Sequence, residues 1–416
     1  MHYISAINSF IGIAFTICYF YQILYIFVPF LRKDRSRGAG RRHRFAVLVS
    51  ARNEANVIAN LLDSIKEQTY PQELLEVFVV ADNCTDNTAD IAASCGAHVF
   101  KRFDDVKIGK GYALNYLLHE IFSKYGKNYF DGYMVFDADN VLDSKYIDEM
   151  NRTFSSGYEI LTSYRNSKNY GDSWVSAGYG LWFLRESKYL NYPRMLLGSS
   201  CAISGTGFMF SKKVAQELDG WWYYLLTEDI EFSIDHILKG YQIGFCKDAI
   251  FFDEQPTRFD QSVRQRMRWA KGYFQVLCHY GLKLIKGISK GSFACFDMTM
   301  NIMPAMFLTL ALLVINTTAA ITGFVMDIDI SPIFSGLFES VGNMYGTMLM
   351  IGTVTTITEW KNIYATPFKK VLYAFTFPVF MMSYIPVTIV ALFKKVEWKP
   401  IVHSKSKSLA DIKSAN

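Results

Sequence analysis

At 416 residues, 51% of them hydrophobic, the chain suits one catalytic domain plus accessory segments, and its ends are too apolar for a wholly water-soluble protein. Its net charge of +5 is modest, and the basic runs flank apolar segments instead of striping a soluble fold, which argues against nucleic acid as a partner. Seven scattered cysteines without a CxxC pair suggest neither a zinc site nor a disulfide framework, so reduced thiols are expected.

Residues 1–31 form the first predicted element, a transmembrane helix. From Tyr3 to Leu31 the run is almost uncharged, long enough to cross ~30 Å of hydrocarbon. No basic stretch precedes it and no small-residue cleavage site follows, so it does not read as a signal peptide. Arg32, Lys33, Arg35, Arg37, Arg41, Arg42 and Arg44 come next, and positive charge beside a span stays cytosolic. Met1 is therefore expected outside and the following domain inside, in a multi-pass protein of the cell membrane.

Residues 32–257 read as a cytosolic α/β domain. Apolar runs at 45–50, 77–81, 97–100 and 132–136 predict strands. Helical spacing at 56–66, 88–94 and 111–122 alternates with them, which implies a mostly parallel sheet covered on both faces. Ligands of such sheets bind beyond the carboxyl ends of the strands. Polar side chains fall there. Ser50–Glu54 follows the first strand, where Glu54 suits a nucleotide contact or a capped turn. Asp82 follows the second, able to accept from a uracil N–H or ribose hydroxyls, while Asp86 or Asn87 reads as a helix cap. Lys110 between two glycines can bring an ammonium to a base or diphosphate. Asp137 and Asp139 alternate at a strand end and can hold one divalent cation, Mg²⁺ or Mn²⁺, together with a diphosphate. Asp143 reads as a cap of the next helix. Gly205, within Ser204–Phe208, suits an acceptor site or a plain turn. In Thr227-Glu228-Asp229, neighbouring acids raise each other's pKa, which helps one serve as a general base; the bland reading is an acidic helix start.

Residues 258–300 predict amphipathic interfacial helices. Arg264, Arg268 and Lys271 share a face by helical spacing and could together hold a diphosphate. Trp269 offers a sugar-stacking surface or a membrane-interface anchor. Residues 301–395 form a second membrane region with apolar segments at about 301–325, 335–358 and 371–393, the middle one weakest because it holds Glu339 and Asn343. Three crossings would carry the basic tail, 396–416, outside against the positive-inside rule; otherwise one segment is re-entrant or interfacial.

The ordered set Asp82, Asp137-x-Asp139, Thr227-Glu228-Asp229 and Gln265-x-x-Arg268-Trp269 resembles the membrane-integrated processive β-glycosyltransferases of family 2. Cellulose, chitin, hyaluronan and poly-N-acetylglucosamine synthases belong there. The resemblance implies a GT-A-type, Rossmann-like α/β domain with transmembrane helices, a UDP-sugar donor, a divalent metal and inversion at the anomeric carbon. By it, Asp82 contacts uridine and Lys110 lies near the nucleotide. Asp137 supports the diphosphate, Asp139 binds the metal, and Asp229 is the base, with Glu228 next in line. Gln265, Arg268 and Trp269 line the diphosphate and acceptor-sugar sites. Asn83 departs from the family, many members having a second Asp there. No regulatory domain is expected after the last apolar run. The implied acceptor is a growing polysaccharide, with accessory export proteins as partners. The small membrane portion also suits a glycolipid-forming enzyme acting on a lipid acceptor.

Overall fold

The structure, a computed structural model, describes residues 2–32, 40–327, 329–396, 403 and 405–414. Lys33, Arg35 and Arg37 of the first basic run, and Lys399 of the tail, lie outside the described residues.

Among the described residues one sheet has eight strands: β1 (Phe45–Ala51), β2 (Leu75–Asp82), β3 (His98–Arg102), β4 (Gly132–Asp137), β5 (Val141–Leu142), β6 (Ile160–Ser167), β7 (Phe208–Ser211) and β8 (Ile243–Asp253). Their order is β3-β2-β1-β4-β7-β6-β8-β5. β3, β2, β1 and β4 run parallel, as do β6 and β8, while β7 is antiparallel to both neighbours and β5 to β8. This is the expected GT-A-type arrangement, mostly parallel. The apolar runs exist because both sheet faces are covered. In β1, Ala46 and Leu48 pack into one buried cluster, and Phe45, Val47 and Val49 into the other. Successive side chains point to opposite faces, so a strand buried on both sides must be apolar throughout. Ser50 of β1 stands opposite Val80 of β2 and Asp137 of β4, which brings these strand ends to one level.

Three helices among the described residues are long and apolar enough to cross a membrane: Ala6–Leu31, Phe307–Val325 and Pro367–Phe393. The segment expected at 335–358 is the helix Ser331–Thr358, about 42 Å long at 1.5 Å per residue, yet it is not among those three. The segment expected at 371–393 is two helices, Pro367–Met382 and Tyr384–Phe393, which meet at Ser383. Pro386 lacks the N–H that would continue the ladder across this joint. Arg266 braces the joint, donating from Nη1 to the Phe380 carbonyl (3.0 Å) and the Ser383 hydroxyl (2.8 Å).

The start of this helix pair meets the sheet domain, where Lys369 Nζ donates to the Gly171 carbonyl (2.7 Å), and its end meets the helix Phe259–Ser289, where Lys271 Nζ donates to the Leu392 carbonyl (3.3 Å). The chain beyond also returns to the sheet: Ile412 is buried against Val141 and Phe252, and Lys413 pairs with Asp143 at 2.9 Å. The N-terminal helix is tied in by Asp297. Its carboxylate accepts from Tyr21, Tyr25 and both Nε and Nη2 of buried Arg194, all at 2.7–2.8 Å.

Candidate active site

Beyond the ends of β1, β2 and β4 lies a cavity of about 530 Å³. Eleven of the residues singled out as site candidates line it: Glu54, Asp82, Lys110, Asp137, Asp139, Gly205, Glu228, Asp229, Gln265, Arg268 and Trp269. A strand brings each of the first acids there. Asp82 closes β2 and Asp137 closes β4, while Asp139 sits in the tight turn that follows.

Lys110 links two of these loops. Its ammonium donates to Asp137 Oδ1 (2.5 Å) and to the Gly205 carbonyl (2.7 Å). The glycine loop is pinned further by Thr206, whose hydroxyl accepts from Asp137 N (2.9 Å) and donates to Asn140 (2.6 Å). Gly205 and Gly207 have φ of +79° and +64°, and a Cβ on Gly207 would stand 2.2 Å from the Phe251 ring. Only glycine meets both demands there. Asp229 lies alongside this loop, 3.9 Å from where a Gly205 Cβ would be.

Glu228 and Asp229 open the helix Glu228–Leu238. Burial raises both carboxyls, and Glu228, which also feels the Asp229 charge, is pushed up to about 7. Opposite them, Gln265 Oε1 and Arg268 Nε are buried and find no hydrogen-bond partner among the described residues. Buried polar atoms without partners are costly in a finished core, so these two suit a ligand that supplies the missing bonds.

Asp82 is not free: it is ion-paired with buried Arg102. Burial raises its carboxyl, with Arg102 pulling the other way. Arg264, Arg268 and Lys271, expected to act together, are separated. Arg264 is exposed and pairs with Asp260 (3.1 Å), Lys271 binds the Leu392 carbonyl, and Arg268 alone of the three lines the cavity. Trp269 stands edge-on to Tyr179 (5.7 Å) and Phe183 (6.3 Å) in a cluster with Phe380, so it is both a cavity wall and a packing residue. Asp86 is a local strut, its Oδ2 accepting from Ala55 N (3.2 Å) and its Oδ1 from Thr88 N (3.1 Å). Asp143 bonds Lys145 N weakly (3.3 Å) and otherwise holds Lys413.

Four further residues line the same cavity. Arg165 on β6 donates to Asp253 (2.8 Å) and to the Ser204 carbonyl (2.8 Å), and its guanidinium lies 3.6 Å over Phe183. Burial pushes Asp253 up to about 6 against the pull of Arg165. Glu186 accepts from Ser204 (2.5 Å). His403 reaches in from beyond the membrane region, with Nδ1 2.9 Å from Glu54 and Nε2 4.0 Å from Asp139. Burial disfavours its cation, but Asp139 and Glu54 raise it to about 10. Asp253 carries the same signal as Asp82, an acid at the end of an apolar run. His403 stands in a polar tail without periodicity, and nothing in the sequence marks it.

Asp139 is the residue best suited to a divalent cation. Burial pushes its carboxyl up, yet His403 and Lys168 outweigh this and hold it below the usual range. Its Oδ2 accepts from Glu254 N (2.8 Å), leaving other lone pairs for an ion. No group of three or more His, Cys, Asp or Glu ligands occurs among the described residues.

Residues 43–272, more than half of the chain, match the family model described as glycosyltransferase-like family 2. Among relatives, the chain is 26% identical over 268 residues to the poly-β-1,6-N-acetyl-D-glucosamine synthase of Staphylococcus epidermidis, covering 62% of each chain. It is 25% identical over 240 residues to the β-monoglucosyldiacylglycerol synthase of Synechocystis, covering 56% of this chain and 48% of that one. The matches span between about half and two thirds of the relatives' own length. Among solved structures, the mannosyltransferase PcManGT of Pyrobaculum calidifontis, in complex with GDP-Man and Mn²⁺, superposes with a TM-score of 0.60 at 16% identity, covering 94% of this chain and 99% of that one. This likeness is one of fold.

Proposed function

The chain belongs to glycosyltransferase-like family 2, and we propose that it moves a hexose or N-acetylhexosamine from a UDP-sugar, with inversion, to a hydroxyl acceptor at the cell membrane. The single observation that carries this reading is the convergence of the acids, Lys110, Gln265, Arg268 and Trp269 on one cavity that continues between the apolar helices. A growing polysaccharide is one acceptor class, with export proteins as partners. A lipid is the other, and the apolar inner wall of the cavity favours it.

In this reading Asp82 and Glu54 stand at the uridine end. Lys110 and Arg268 face the diphosphate, with Asp137 positioning the lysine. Arg268 Nε has an unmet donor for a phosphate oxygen, and Gln265 Oε1 an unmet acceptor for a hydroxyl. Asp139, with Asp137 beside it, would hold Mg²⁺ or Mn²⁺, which neutralises charge on a departing diphosphate. Asp229 takes the proton of the acceptor hydroxyl. The acceptor oxygen bonds to the anomeric carbon, the bond from that carbon to the β-phosphate oxygen breaks, and UDP leaves. Attack opposite the leaving group inverts the centre. In this reading the domains are the N-terminal transmembrane helix at 1–31, the catalytic unit at 32–257, the interfacial helices at 258–300, the membrane region at 301–395 and the tail at 396–416. The basic residues after the first helix support a cytosolic catalytic unit.

Purified full-length protein incubated with a panel of labelled UDP-sugars tests this. We expect one donor to be turned over, and chelation of divalent cations to stop it. No turnover of any UDP-sugar would refute the transferase reading. Equal turnover with and without chelator would reduce Asp139 to a structural role.

A further inference from the structure

Glu186 lines the cavity but has no part in the reaction proposed above. It ends the helix Trp174–Glu186, on which Tyr179, Phe183 and Glu186 share a face by helical spacing. Tyr179 and Phe183 pack on the Trp269 ring, and Glu186 extends this wall by one turn toward Ser204. Tyr273 also lines the cavity, one turn beyond Trp269 on the helix Phe259–Ser289. Burial raises its phenol, and the charges of Glu186 and Asp229 raise it further, so both acids lie near this ring.

The surroundings of Glu186 leave it with capacity to bind. Among the described residues its one hydrogen bond comes from the Ser204 hydroxyl to Oε1. It has no ion pair among them, because the nearby arginines are held elsewhere: Arg165 by Asp253, Arg194 by Asp297 and Arg185 by Gln22. Burial raises its carboxyl, with Ser204 and these arginines pulling the other way. A brace for Ser204 needs one acceptor oxygen, which a neutral amide would supply. A carboxylate brings further lone pairs, and burying them unpaired is costly.

We infer that Glu186 sets acceptor specificity: its second oxygen accepts a hydrogen bond from a second hydroxyl of the acceptor, beside the one that Asp229 deprotonates. This rests on the transferase reading above and deepens it. A sugar ring seated on Trp269 offers neighbouring hydroxyls to both acids. An alcohol with a single hydroxyl serves Asp229 and leaves Glu186 unpaired. A site built to bond a hydroxyl rejects the analogue that lacks it, because its own polar group then loses its partner. The acceptor therefore presents a sugar or another polyol, whether this ends a polymer or heads a lipid.

The test uses the full-length protein in phosphatidylcholine nanodiscs with the labelled UDP-sugar that it turns over. The acceptor probes are octyl β-glucoside, its monodeoxy analogues and octanol, and the readout is kcat/KM for transfer. In wild type, octyl β-glucoside should exceed octanol by about 100-fold or more, and one monodeoxy analogue should lose about tenfold or more. Glu186→Ala should lose a similar factor with octyl β-glucoside and nothing further with that analogue, the coupling expected of two groups in contact. Glu186→Gln, which keeps an acceptor oxygen, should recover part of the loss. A merely structural role would lower transfer to every probe alike. UDP affinity of the same samples reports whether each variant is folded, and Glu186→Gln carries the comparison if Glu186→Ala is not. Donor turnover without transfer to octyl β-glucoside, equal use of octanol, or a deoxy loss that persists in full in the Glu186 variants would each overturn the inference while leaving the transferase reading intact. Absence of both transfer and donor hydrolysis for every UDP-sugar would overturn the transferase reading, and the inference with it.

Discussion

Glu228 and Asp229 are adjacent in sequence but unequal in setting. Glu228 bears burial plus the charge of Asp229 and titrates near 7, while Asp229 lies beside the glycine loop that holds Lys110. A base must be deprotonated to act, and a raised carboxyl is protonated below its pKa. Burial also raises Asp229, so transfer is expected to fall on the acid side as the pair takes up protons. In Glu228→Gln this acid limb should move to lower pH; a pH–rate profile that keeps the wild-type limb would show that the pair does not control the step. Trp269 offers a second test. It lines the cavity and packs on Tyr179 and Phe183. If its ring seats the acceptor, Trp269→Ala should reduce transfer more than donor hydrolysis, because water needs no platform. An unchanged ratio, with both activities falling alongside detergent stability, would leave it a packing residue. The residues legible in the sequence were acids that end apolar runs, because strand ends are where such sheets bind ligands. Arg266 was not legible. It sits between Gln265 and Arg268, and its clamp on the Ser383 joint depends on a helix more than a hundred residues away.

At the scale of elements, the expected strands were found because burial on both faces forces continuous apolar runs. The membrane region was less legible. One apolar run at 371–393 hid a joint, since hydropathy does not register a missing N–H or a buried arginine. The helix Pro367–Met382 packs closely on Trp174–Glu186, where an added Cβ on Gly178 would stand 2.3 Å from the Phe380 ring. Phe380 is buried in the cluster that also holds Trp269. Gly178→Ala should therefore destabilise the protein by about 1–3 kcal/mol, the usual cost of overpacking, and lower transfer by shifting the cavity wall. Thermal unfolding in detergent checks this, and a wild-type midpoint would show that the helices can separate freely.

For the whole molecule, the contacts of the tail bear on topology. The end of Ser331–Thr358 meets the sheet domain through Glu359, which pairs with Lys188 (2.8 Å), and the tail meets it again through Lys413. The chain between leaves one face of the membrane and returns to it, so Pro367–Phe393 is expected to dip in without crossing. A cysteine placed at Ser331 should react with an impermeant maleimide in intact cells, and one placed at Lys413 only after permeabilisation. Outside labelling at Lys413 would contradict this path. His403, carried on that tail, completes the wall beside Glu54 and Asp139, an arrangement that only the folded chain reveals.

The central claim is that a buried carboxylate at this cavity transfers a sugar from a UDP donor. It is tested most directly by comparing wild type with Asp229→Asn, measuring UDP affinity and sugar transfer on the same purified samples. The account predicts UDP affinity close to wild type and transfer reduced about 10²–10⁴-fold, the usual loss when a positioned base is removed. Near-normal transfer in Asp229→Asn would contradict it.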